Sequence, residues 1–321
     1  MNEPALDPVI ESLVPAAGLR KCADVRSAFG RIVRIYNDGL ERIKRAFEAY
    51  LAGTPAPPGE AVYPYLCVEI RAESGEPLPP LAFGKVSAPG IYGTTITAPE
   101  LFRDYLHEQL GLLLNNYDAR IYVGRSRTPI PLTFALERAD AQLSPQRRRD
   151  LQRHFSLPNL AATHDHIADG DLLAEGLMPK PLTLFSAERV DYSLHRLRHY
   201  TATSPEHFQE FVLFTNYQRY VDEFIEFGTR RIEAGQYDRF VEPGDRISER
   251  GRKPSRPRLL KMPQMPAYHL VREGRTGITL VNIGVGPSNA KTVTDHLAVL
   301  RPHVWLMVGH CGGLRRSQRL G

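Results

Sequence analysis

Apolar residues between Ile32 and Leu51 recur at Tyr36, Leu40, Ile43, Phe47 and Tyr50, with spacings of four, three, four and three. That period predicts one buried stripe on an amphipathic helix. GTPAPPGE at 53–60 ends it, because proline cannot continue a helix. YPYLCVEIRA (63–72) and LAFGKVSAPGIYGTTIT (81–97) are rich in β-branched and aromatic residues and broken by Gly and Pro, which reads as strands. Thr97-Ala98-Pro99-Glu100 has capping-box spacing with a proline in the first turn, so a helix opening at Thr97 is expected. Phe102, Leu106, Leu110 and Leu113 supply its stripe, and ARIYVG (119–124) reads as the next strand. Residues 1–30 look loosely organised. Strands and helices mixed without a parallel β-α-β rhythm predict an α+β domain over 31–185.

Residues 186–207 read as a connecting helix that sets Arg189, His195, Arg196, Arg198 and His199 among Tyr192, Leu194, Leu197 and Tyr200. Such a helix either shows a plain exposed face or delivers cations to a phosphate-bearing ligand at a domain junction. A second domain spans 208–321. FVLFT (211–215) is a short apolar run suited to a covered strand, and the residues after it turn helical with Tyr220/Val221, Phe224 and Phe227/Gly228 on one side. The proline-rich, basic stretch 243–266 has no pattern and reads as a loop. ITLVNI (278–283) is a strand that runs into Gly284-Val285-Gly286-Pro287-Ser288-Asn289 and a helix carrying Ala290, Val293, Leu297 and Leu300, with Ser288 as the candidate N-cap. VWLMV (304–308) then enters Gly309-His310-Cys311-Gly312-Gly313. The order strand, glycine turn, helix, strand, glycine turn predicts a parallel α/β sheet.

Composition narrows the function classes. With 321 residues, 42% hydrophobic and 24% charged, the chain is long enough for about two globular domains. A net charge of +5 comes from 41 basic against 36 acidic residues, a mixed surface that favours small phosphate-bearing ligands over nucleic acid. The basic loop 243–266 lacks the interleaved aromatics that would stack on bases. Cys22, Cys67 and Cys311 are widely spaced and suggest neither a disulfide framework nor a zinc site. No run approaches the roughly 18 apolar residues of a membrane span, and no signal layout opens the chain, so a cytoplasmic location is expected. His164, Asp165, His166 and Asp169 are metal-ligand types in a loop-like setting, and no metal site is expected from them.

The candidate chemistry lies at the glycine turns. Two glycines let the backbone approach an anion, and the following helix N-terminus offers free N–H groups and positive dipole. The Gly284–Asn289 spacing is neither the dinucleotide fingerprint nor a phosphate loop with lysine and serine, and alone it could simply join strand to helix. A second glycine turn in tandem is stronger, because ligands of parallel sheets sit beyond the carboxyl ends of the strands. His310 is either a hydrogen-bonded structural residue or a ligand contact. Cys311 reads as a packing residue more readily than as a nucleophile, which would need a paired base.

FVLFTNYQRYVDEF, GITLVNIGVGPSNAKT, DHLAVLRP and GHCGGLR closely resemble the bacterial AMP nucleosidase family, and AFGK, GTTITAPELFRDYLHEQL and RVDYSLHRLRHYT extend the likeness into the front half. The resemblance covers most of 32–321. It implies an N-terminal α+β regulatory domain followed by the first part of a nucleoside-phosphorylase-like α/β domain, incomplete at residue 321. It further implies hydrolysis of AMP to adenine and ribose 5-phosphate in a homo-oligomer, a hexamer. No cofactor is expected, with ATP (with Mg) as activator and phosphate as inhibitor. Carried over by motif, Thr215, Asn216 and Arg219 occupy the first turn, Gly284, Gly286, Ser288 and Asn289 the second, and Gly309, His310 and Gly312 the third. These are the residues expected to bind substrate and its phosphate, Arg219 being assigned to the 5′-phosphate. In the family a Met-Glu ribose segment and the aspartate that protonates the purine follow the GHCGGL turn, so the general acid is expected beyond residue 321 and this chain alone is expected to be inactive. The alternative is a non-catalytic nucleotide-binding regulator of the same descent.

Overall fold

The computed structural model describes residues 12–71, 84–86, 88–136, 143–171, 179–310 and 315–319. The chain divides into two compact α/β units, Met1–Tyr192 and Ser193–Gly321. The division falls inside the expected connecting helix rather than at its ends.

In the first unit, β1 (Ala16–Cys22), β2 (Val62–Ile70), β3 (Gly90–Thr95), β4 (Ala119–Pro129) and β5 (Lys180–Pro181) form one sheet in the order β1-β4-β2-β3-β5. All pairs are antiparallel except β3 with β5. The long helix α1 (Val25–Leu51) buries Ile43, Phe47 and Tyr50 of the expected stripe, with Ile32 and Ile35 beside them, while Tyr36 and Leu40 are partly buried against the same core. Phe47 and Tyr50 meet Tyr63, Ile130, Leu151 and Phe155 in the core of the unit. The loose N-terminus expected from sequence is corrected over its second half. β1 pairs with β4, and α1 starts at Val25 because the Asp24 carboxylate accepts from the Ser27 N–H at 2.7 Å while the Ser27 hydroxyl takes the Asp24 N–H at 3.1 Å. That reciprocal cap uses a serine where the familiar pattern has Glu or Gln.

The helix expected to open at Thr97 begins six residues later, as α2 (Arg103–Asn116). Ala98 sits at φ 41°, a left-handed backbone that breaks the helical run, and the Thr97 hydroxyl is committed to Asp191. Short helices α3 (Leu132–Ala135), α4 (Pro145–Leu151) and α5 (His166–Asp169) follow, and α6 (Ala187–Thr201) continues past Tyr192.

In the second unit, β6 (Phe211–Thr215), β7 (Arg239–Glu242), β8 (Arg246–Ser248), β9 (Ala267–Val271), β10 (Ile278–Asn282) and β11 (Val304–Met307) form a sheet in the order β11-β6-β10-β9-β7-β8. Helix α7 (Gln218–Glu233) follows β6, and α8 (Pro287–Leu297) joins β10 to β11. Only β11, β6 and β10 are mutually parallel; β9, β7 and β8 run antiparallel. The sheet is therefore mixed where a parallel one is expected. Loop length explains the difference: residues 272–277 between β9 and β10 are too few for a parallel crossover, which takes roughly a dozen or more. The basic stretch 243–266 is also more structured than expected. It carries β8, and Arg246 and Arg258 both reach the buried Glu242 carboxylate.

Val221, Phe224 and Ile232 of α7 pack on Phe240, Tyr268, Leu270 and Leu280 of the sheet. At the alternate positions of the same strands, and so on the other face of the sheet, lies a fully buried polar link: His269 Nδ1 is 3.0 Å from Thr279 Oγ1 and its Nε2 is 2.9 Å from Thr203 Oγ1. Burial pushes this imidazole well below its ordinary pKa, and His207 nearby adds to the effect. Because the folded group resists a proton that the unfolded chain accepts, its stabilisation is present above about pH 6.5 and lost as pH falls below it.

Two measurements check these relations. Gly277 has no room for a side chain, since a Cβ there would lie 2.0 Å from the Leu270 carbonyl oxygen. Gly277→Ala is expected to lower stability by about 1–3 kcal/mol or more, read as a shifted urea midpoint with unchanged slope. Melting temperatures of the chain and of His269→Gln at pH 5.5 and 7.5 should differ in pH slope, with the acid loss smaller in the variant; equal slopes would remove His269 as its source.

Candidate ligand site at three strand ends

Parallel pairing sets the site. Thr215 pairs with Asn282 across β6 and β10, and Phe214 with Met307 across β6 and β11, so three carboxyl ends meet one edge of the sheet. The ladders run on into the turns: Ile283 N–H donates to the Thr215 carbonyl at 2.8 Å, and Val308 N–H to the Phe214 carbonyl at 2.8 Å. The structure thus brings together the residues expected at the first and second turns, with Gly309 and His310 of the third. Gly312 and Cys311 lie outside the described residues.

At the first turn Thr215 is fully buried, and its hydroxyl accepts from the Tyr217 N–H at 3.2 Å, so its side chain shapes the turn itself. Asn216 Oδ1 is buried with no hydrogen-bond partner among the described residues. Arg219 is the second residue of α7 and exposed, and it has no carboxylate partner among the described residues. No side chain caps the start of α7.

At the second turn the Asn282 side chain accepts from the Gly284 N–H at 3.1 Å. Gly284 at φ 63° and Gly286 at φ 111° adopt backbone that a side chain would strain. The cap expected at Ser288 is corrected to Gly286: Pro287 fills the first helical position, Ser288 the next, and no side chain caps α8. Asn289 is tied in place, accepting from Gln264 Nε2 and donating to the Val285 carbonyl, each at 3.4 Å. Two helices therefore begin at this edge of the sheet without side-chain caps. Their first-turn N–H groups point outward with positive dipole, an arrangement that favours an anion.

At the third turn a Cβ on Gly309 would stand 3.3 Å from the Tyr217 ring and 3.5 Å from Asn216 Oδ1, so glycine keeps this crowded approach open. The His310 ring stands edge-on to Tyr217 with centroids 5.0 Å apart, and Tyr220 lies 6.3 Å away. The sequence pattern placed Tyr220 only on the apolar side of the helix and gave neither tyrosine a place at the site, although the aromatic spacing in NYQRY puts them one helical turn apart. Behind Tyr220, a cavity of about 310 Å³ opens between α7 and the sheet, lined by Leu213, Phe224, Phe227, Leu280 and Val308 with Glu223 and Arg230 at its rim. The four-residue group at 164–169 does not form a ligand set: Asp165 bonds Arg189 at 2.7 Å, and His166 lies 3.2 Å from Asp171. Among the described residues no cluster of ligand-type side chains is placed to hold a metal.

Together the turns define an α/β protein in which glycine turns and two helix starts meet at the carboxyl ends of parallel strands. Residues 27–177 match the family described as Bacterial AMP nucleoside phosphorylase N-terminus. The chain is 43% identical over 306 residues, 92% of its length, to AMP nucleosidase of Escherichia coli strain K12, and equally to that of strain O157:H7. The stretch that matches that N-terminal family thus lies in the first unit, and the likeness to these AMP nucleosidases runs through both units. It spans 63% of the length of these relatives. A solved AMP nucleosidase from Bacteroides thetaiotaomicron VPI-5482 aligns at 24% identity over 39% of this chain and 41% of that one. That overlay has a TM-score of 0.28, and no argument rests on it.

The Asn282 side chain holds the Gly284 turn from the strand before it. Asn282→Ala should cost about 1 kcal/mol locally, seen as roughly fivefold faster hydrogen exchange of the Gly284 amide; unchanged protection would show the turn to be held by other means.

Proposed function

We propose that the chain acts in hydrolysis of the N-glycosidic bond of AMP, giving adenine and ribose 5-phosphate. The observation that carries this reading is the meeting of an exposed Arg219, without a carboxylate partner among the described residues, with two helix starts that no described side chain caps and the glycine turns at one sheet edge. A phosphomonoester fits that set: the guanidinium offers paired donors to its oxygens, and the backbone N–H groups of Val285, Gly286, Ser288 and Asn289 supply the rest.

Cleavage breaks the C1′–N9 bond with its electron pair leaving on the purine, while water adds to C1′. Positive charge builds on the ribose and negative charge on the base. The binding set serves this chemistry by holding the phosphate, which fixes C1′ for attack; orientation of that kind supplies several kcal/mol of the barrier, roughly 7 at best. His310, Tyr217 and Tyr220 supply the polar and aromatic wall that the nucleoside part meets. By family likeness the purine takes its proton from an aspartate, a step worth roughly a hundredfold to ten-thousandfold. The likeness also motivates a cytoplasmic homo-oligomer, a hexamer, with ATP and Mg as activator and phosphate as inhibitor. Among the described residues no helix is long and apolar enough to cross a membrane.

A second reading, a nucleotide-binding regulator without turnover, is favoured by one feature: among the described residues of the three turns, 215–220, 283–289 and 308–310, the titratable side chains are Tyr217, Arg219, Tyr220 and His310, with no Asp or Glu. Adenine release from AMP, measured chromatographically against a no-protein control, separates the readings. Calorimetry with Arg219→Ala then tests the phosphate contact. The variant should weaken AMP roughly ten- to a hundredfold, the worth of a charged hydrogen bond, and leave adenosine within about twofold; equal losses would contradict the assignment.

A further inference from the structure

Asp191 has no part in the ligand site, yet it is among the most enclosed charges of the first unit. Three other elements supply its neighbours. The Tyr63 hydroxyl from β2 donates to Oδ2 at 2.5 Å, and the Thr97 hydroxyl from the segment after β3 donates to Oδ1 at 2.7 Å. Thr97 Oγ1 lies 3.3 Å from the Tyr36 hydroxyl of α1. On its own helix, buried Glu188 stands one turn back and takes the Thr95 hydroxyl at 3.4 Å, with His164 acting on Glu188. Arg189 is turned away to Asp165, 2.7 Å off. No cation pairs with Asp191 among the described residues. A carboxylate enclosed by hydroxyls alone keeps two hydrogen bonds and no counter-charge.

We propose that Asp191 is a proton-operated latch that sets how α6 is held against β2, the Thr97 segment and α1. When it is ionised, both hydroxyls must donate to it. When it is protonated, its own O–H needs an acceptor, so Tyr63 or Thr97 must turn from donor to acceptor and the network rearranges. Burial raises the Asp191 pKa to about 7, Glu188 adds to it, and the Tyr63 and Thr97 hydrogen bonds oppose it. Burial also pushes Tyr36 up to about 12 and Tyr63 well above its ordinary value, so both keep their hydroxyl protons throughout and Asp191 is the group that titrates.

The sign of the linkage follows. Raised in the fold above its unfolded 3.8, the carboxyl binds its proton more tightly when folded. Its contribution is therefore most favourable in acid, declines as pH rises from about 4 to about 7, and levels off beyond.

The test uses the full chain. Aspartate-selective ¹³C labelling should show one Cγ resonance with a midpoint near neutrality, absent from Asp191→Asn. Tyr63→Phe, which removes a donor to the charged form, should move that midpoint higher. The melting temperature of Asp191→Asn should exceed that of the parent by a margin that widens between pH 5 and 7.5. Hydrogen exchange of residues 187–201, corrected for intrinsic rates, should change across the same window in the parent and not in the variant. A Cγ midpoint in the ordinary carboxylate range, or exchange at 187–201 that ignores pH, overturns the proposal; the resonance is read on the parent chain, so it decides even if Asp191→Asn does not fold.

Discussion

The central strand β6 carries parallel hydrogen-bonded ladders on both sides, to β10 and to β11, and the candidate site depends on that one arrangement. Parallel neighbours share direction, so their carboxyl ends share an edge, and each end here gives way to a turn with glycine, asparagine or both. Had β6 paired antiparallel with either neighbour, one glycine turn would sit at the opposite edge. The helices that follow β6 and β10 inherit the same geometry, because each begins where its strand ends. An anion site then follows from backbone dipoles already aligned, before any side chain is counted.

Much of this was legible in the sequence because it rests on local signals. Apolar period marked α1, apolar runs marked β6, β10 and β11, and glycine pairs marked the turns. Other features depended on partners distant in sequence. Thr97 looks like a helix cap until Asp191, 94 residues away, takes its hydroxyl. Ser288 looks like a cap until Gly286, with backbone open chiefly to glycine, starts the helix two residues earlier. The antiparallel half of the second sheet was foreseeable, since the short link from β9 to β10 forbids a crossover. The cap at Asp24 was missed because serine does the work usually looked for in glutamate. The contact of Tyr217 and Tyr220 with His310 has no local signature at all, because a strand and a helix from different parts of the chain bring it about.

The two units share a habit of burying polar links inside otherwise apolar packing. In the second unit His269 bridges two threonines and stays neutral. In the first, Asp191 gathers hydroxyls from a strand and a loop. Each link costs desolvation and returns it only if every donor and acceptor is matched, which fixes the register of the elements that contribute. Their pH signs are opposite, since burial disfavours charge on a base and an acid alike: the histidine favours the fold at neutral pH, the aspartate in acid. Total stability against pH is accordingly a compromise between the units.

The most direct test of the account is an amide chemical-shift titration of the labelled chain with AMP. The account predicts that Asn216 to Arg219, Gly284 to Asn289, and Gly309 with His310 shift together along one saturation curve, as three turns on a single ligand. Shifts confined to one turn, or centred elsewhere in the chain, would contradict a site built on the parallel strand ends.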